Sequence, residues 1–272
     1  MSLAAATRSE LTKQFTTSIW WILALVLVVY IGLVSAGFAV LLAAVATGAL
    51  TDGNAPQLPV DALTPVLYSV ATSFGYVFPL LVGTLMVTGE FRHNTLTPTF
   101  LATPRRSTVL AAKAATSVVM GLLFGVLGIV ASVGPAAAVL AASDLDTAFA
   151  DSDTWAMLGR MLLAFVLWTL VGLGVGTLVR NQVTALVLVL AFTQFVEPIA
   201  RVGGGFVEWL APIVGVLPGA AGDALVGASA LSLGAVTASD PLEWWAGGLV
   251  LLGYAVVFLV LGRLTSWRRD VN

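Results

Sequence analysis

The fold class predicted by this sequence is an all-α polytopic membrane protein with six transmembrane helices, and three observations predict it. Of 272 residues, 59% are hydrophobic and 10% are charged, whereas a soluble domain carries about 25% charged residues to cover its surface. Long uncharged stretches recur at residues 14–51, 62–89, 114–143, 161–179, 181–196 and 244–262. Roughly 20 apolar residues cross about 30 Å of hydrocarbon; only the fifth stretch falls clearly short. Basic residues also segregate. With six spans, Arg8, Lys13, Arg92, Arg105, Arg106, Lys113, Arg180, Arg263, Arg268 and Arg269 share the side of the termini, leaving Arg160 and Arg201 on the other. The positive-inside rule then makes both termini cytoplasmic, in a multi-pass protein of the cell membrane. Of the acidic residues, only Glu10, Glu90 and Asp270 lie on the terminus side.

The elements follow in order. Residues 1–17 read as an interfacial helix, with Leu3, Leu11 and Phe15 on one face and Arg8, Glu10 and Lys13 on a polar one. The first span covers about residues 19–47, with Trp20 and Trp21 at headgroup level. The second covers about 65–88. Its Ser69, Thr72, Ser73, Tyr76, Pro79 and Gly83 form one stripe, which either packs on another helix or lines a substrate path. The third covers about 109–141, with Gly121 and Gly125 at close-packing spacing and Pro135 expected to bend its outer end.

Asp144, Asp146, Asp151 and Asp153 then read as a solvated acidic loop, because calcium-loop spacing is missing. The fourth span covers about 155–179, with Gly172 and Gly176 again at close-packing spacing. The fifth, about 180–197, is expected to break at Glu197 because Pro198 follows. It carries Thr193 and Gln194, which join the candidate substrate path, while Glu197 and Arg201 are candidates for an outer gate. Residues 199–243 form an outer re-entrant segment, in which 206–217 is apolar but too short to span and Pro218-Gly219 closes it. The sixth span covers about 244–264, anchored by Trp267, Arg268 and Arg269.

Chemistry is constrained by what is missing. There is no cysteine, hence no disulfide or thiolate site. No catalytic or metal-binding motif occurs, and the lone His93 lies on a loop. Neither Lys13 nor Lys113 follows a glycine, so the chain has no phosphate-binding loop of the Walker kind. The spans are expected to carry no acid at mid-membrane depth, which disfavours a proton- or ion-coupled carrier. Uphill transport would therefore draw its energy from another chain.

The segment of residues 89–107, GEFRHNTLTPTFLATPRRS, is a short, stiff, basic connection between the second and third spans. Its order and spacing resemble the corresponding segment of ABC-2 type transporter permeases, as do SELTKQFTTSIWW near the N-terminus and LPGAAGDALVG before the last span. The resemblance implies a single transmembrane domain, residues 1–272, with an elbow helix and a coupling helix. Glu90, Phe91, Arg92, His93, Leu96, Pro98, Pro104, Arg105 and Arg106 would contact two copies of a cytoplasmic ABC ATPase subunit. That partner would bind ATP and magnesium, leaving this chain without cofactor, catalytic residue or metal. The chain would act as a homodimer, or paired with a related permease, among membrane lipids and without nucleic acid, to export a small molecule, drug, antibiotic or lipid-like substrate. The alternative is a non-transporting scaffold or sensor of the same architecture.

Overall fold

The computed structural model describes residues 2–49, 60–207, 209–233 and 242–265. Most of the connection between the first and second spans, part of the 199–243 segment, and Trp267, Arg268 and Arg269 lie outside the described residues. The described chain is helical, with no strand, and six of its helical stretches are long and apolar enough to cross a membrane.

Helix α1 (Leu3–Thr16) starts at Ser2, whose hydroxyl oxygen accepts the Ala5 amide at 3.3 Å. The first span is α2 (Ile19–Ala46). The second runs through α3 (Val60–Tyr68), α4 (Val70–Gly75) and α5 (Val77–Arg92). One-residue interruptions fall at Ser69, whose hydroxyl bonds back to the Val66 carbonyl, and at Tyr76, just before Pro79. Asn94, at φ 53°, turns the chain into the short α6 (Leu96–Ala102). The third span, α7 (Arg106–Ala142), stays helical through Pro135, and the fourth is α8 (Ser152–Leu178).

The fifth span differs from expectation. Helix α9 (Gln182–Ala191), a π turn at Phe192–Val196 and α10 (Glu197–Gly204) form one helical path rather than ending at Glu197. The wide turn bonds the Glu197 amide to the Phe192 carbonyl, five residues back, and this re-registered ladder absorbs the donor that Pro198 lacks. The outer segment needs a second correction. Pro218 does not close a hairpin but opens a helix, α12 (Pro218–Val226), after the five-residue α11 (Ala211–Gly215). It is α12 that is buried, against the second, fourth and sixth spans, whereas Phe206 and Trp209 are exposed. The sixth span is α13 (Trp244–Thr265).

Helix α8 forms the centre, packed by α5, α7 and α13. Its contact with α5 is made through glycines. A Cβ on Gly83 would strike the Thr169 carbonyl, and one on Gly172 the Leu80 carbonyl. Gly121 meets the Val166 backbone in the same way, at 2.6 Å from an added Cβ. Both close-packing spacings thus sit at helix contacts, where small residues let backbones approach. Of the most apolar 18-residue stretch of each span, 83% of residues are buried within the chain in the second but only 22% in the fifth and sixth. The outward faces of α2, α9 and α13 are apolar, as a lipid or protein environment requires.

Candidate functional site

Two groups of charged side chains lie inside the helical bundle, one at each end. At the end that carries α1, four side chains close a ring. Lys113 of α7 is fully buried; its Nζ lies 2.6 Å from Glu10 Oε2 and 3.0 Å from Glu90 Oε2. Lys13 Nζ lies 2.7 Å from Glu10 Oε1 and 2.8 Å from Glu90 Oε1, and donates to Thr99 Oγ1 of α6 at 3.1 Å. Each carboxylate bridges two ammonium groups, so the ring is electrically neutral, as buried charges must be. It ties α1, the end of the second span, α6 and the start of α7 together. Burial would raise the pKa of Glu10, but Lys113 and Lys13 outweigh it and hold the carboxyl below its ordinary value. Burial would lower that of Lys13, but Glu10 and Glu90 outweigh it and raise it. Beside the ring, a cavity of about 280 Å³ opens between α1, α6 and α7, lined by Ser9, Lys13, Thr95, Pro98, Thr99 and Thr103 among others.

The ring also places part of the polar face of α1 inside the protein. Glu10 and Lys13 of its polar face point into the protein, while Leu3 and Phe15 are exposed. The partners that draw the polar face inward are Lys113 and Glu90.

The segment after the second span divides into inward and outward residues. Glu90 belongs to the ring and Leu96 is buried. Phe91 lies under the Arg180 guanidinium at 6.0 Å, and Phe100 under that of Arg106 at 5.0 Å. Arg92, His93, Pro98, Pro104 and Arg105 are exposed, and so is Leu101, at 78%.

The second group lies toward the other end. Glu197 Oε1 accepts the Ala220 amide at 3.1 Å, at the start of α12. Arg201 sits between two carboxylates, with Nε 3.4 Å from Glu197 Oε1 and Nη1 2.8 Å from Asp223 Oδ2. Ser229 donates to Asp223 Oδ2 at 2.8 Å, and Ser73 Oγ accepts the Ala230 amide at 3.1 Å. One turn inward along the fifth span, Tyr76 donates to the Thr193 carbonyl at 3.1 Å and stacks on Trp168, centroids 4.5 Å apart. Glu197 lies about 22 Å along the fifth span from Gln182, about two thirds of the way to Gly204. The helix continues past Pro198 and carries Glu197 and Arg201 among its neighbours, so Glu197, expected near the end of a span, is buried against the start of α12.

The proposed path residues separate. Ser73, Tyr76 and Thr193 are buried and join this network. Ser69 and Thr72 are buried but spend their hydroxyls on carbonyls of their own helix. Gln194 is exposed on the outer face of the fifth span. The sequence reading passed over Lys113 and Asp223 as site residues; a lysine inside an apolar helix and an acid inside LPGAAGDALVG were the available signals.

A comparison of the chain with protein-family models gives no match, and a comparison with curated protein sequences gives none either.

Proposed function

We propose that this chain is the transmembrane subunit of an ATP-driven exporter of the ABC-2 permease kind, with its termini cytoplasmic and a second permease copy beside it. In this reading α1 is the elbow helix and α6 the coupling helix. A separate ATPase subunit docks on the exposed residues Arg92, His93, Leu101 and Arg105 and supplies the energy. The observation that carries the reading is the charged ring. Lys13 holds α6 through Thr99 and holds the ends of the second and third spans through Glu90 and Glu10. A push on α6 is thereby delivered to two spans at once. The exported substrate would be a small or lipid-like molecule.

The test is purification from native membranes in mild detergent. A Walker-bearing ATPase is expected to co-purify, and Leu101→Asp with Arg105→Glu is expected to lower its retention at least tenfold while the spans unfold at the same temperature. Both positions are exposed, so the pair leaves the interior intact. Equal retention by the variant, or no ATPase with the wild type, overturns the reading. A second reading, an ion-coupled carrier, draws on the buried Glu197 and the half-buried Asp223; substrate uptake driven by an ion gradient in vesicles holding this chain alone would favour it.

A further inference from the structure

We propose that the Glu197–Arg201–Asp223 cluster takes up one monovalent cation, either a proton bound on a carboxylate or a single alkali ion. The charge count comes first. Two carboxylates face one guanidinium, a net charge of −1 inside a bundle of apolar helices, where an uncompensated charge is costly. Among the described residues no further cationic side chain supplies the missing positive charge, and the start of α12 lends Glu197 only the partial charge of its amides. From the second span comes Tyr76 and from the sixth Tyr254, both neutral phenols whose hydroxyls donate to the Thr193 and Val216 carbonyls. From the fourth span comes Arg160, but it lies against Gly227, at the opposite end of α12 from Glu197, and forms an ion pair with neither carboxylate.

An unsatisfied atom points to the same site independently. Glu197 is 2% exposed, and its Oε2 has no hydrogen-bond partner. Arg201 Nη2 is also without one. A cavity of about 20 Å³ at this cluster is lined by Ser73, Tyr76, Glu197, Arg201 and Asp223, room for one occupant the size of a water molecule. A small alkali ion would bring positive charge to Oε2, and a proton taken up by the carboxylate would remove the excess negative charge outright.

The test uses the purified full-length chain in detergent, without any ATPase, so it stands or falls apart from the proposed transport role. Unfolding temperature is followed while sodium or potassium chloride replaces choline chloride at pH 7.5, and separately from pH 5.5 to 9 in choline chloride. A saturable one-site rise with an alkali ion identifies that ion as the ligand. A rise as pH falls, with no alkali response, identifies the proton. Glu197→Gln, which keeps an acceptor for the Ala220 amide while cancelling the excess charge, is expected to flatten either response, and Asp223→Asn provides the same test should the first variant fail to fold. No response to any of the cations or to pH, or a response that both variants retain, overturns the proposal.

Discussion

Lys113 shows what a single side chain does when it is placed where water cannot reach it. Removing one member of a buried charge set leaves the others uncompensated, a loss of about 3–5 kcal/mol in comparable cases. Lys113→Met is expected to cost that much by detergent unfolding, and a second change, Glu10→Gln, to restore part of it, since the ring would again be neutral. Strict additivity of the two losses would mean that the pair does not interact. The ring also sets a pH window. The lowered pKa of Glu10 makes its contribution complete above the ordinary value of 4.5 and lost as pH falls through the still lower folded value. The raised pKa of Lys13 makes its contribution complete below 10.5 and lost only as pH climbs past that. Amide exchange of α1 is therefore expected to stay flat between about pH 5 and pH 10 once intrinsic exchange rates are divided out. A loss of protection inside that interval would contradict the pairing.

Among the helices, the contact of α5 with α8 is limited by backbone approach rather than by side-chain choice. Gly172→Leu would force the two central helices apart, and a cost of at least about 1–3 kcal/mol is expected from overpacking. Gly159→Ala in α8 is the control, because an added Cβ there meets nothing within 4 Å; it is expected to be neutral or to stabilise by about 0.5–1 kcal/mol. Equal effects of the two changes would show that the interlock does not hold the bundle. The glycine spacings were legible in the sequence because a repeat of four residues is a property of one helix. The continuous fifth span was not, because the rule that proline ends a helix says nothing about a π turn five residues earlier taking up the strain. The position of α12 was hidden in the same way: Pro218 suits a helix start as well as a turn, and only its neighbours in space decide.

For the molecule as a whole, the six spans were readable from run length and charge segregation, both of which are local sums. What brings Glu10 to Lys113 across 103 positions is not a local property, and the charges of α1 read equally well as a solvated face until their partners are seen. Sidedness follows from the distribution of lysine and arginine and has a clean test, since the chain has no cysteine. In sealed right-side-out vesicles, Asp151→Cys is expected to react with an impermeant maleimide and Arg92→Cys only after permeabilisation; the reverse pattern would invert the protein. The length of chain between Glu10 and Lys113 also sets an order of birth. The amino terminus leaves the ribosome long before the third span does, so Lys13 can meet Glu90 and Thr99 first while Glu10 still waits for Lys113. Arrival of residue 113 therefore closes the circle of charges rather than starting it, and the four are mutually neutralised only when the third span stands beside α1.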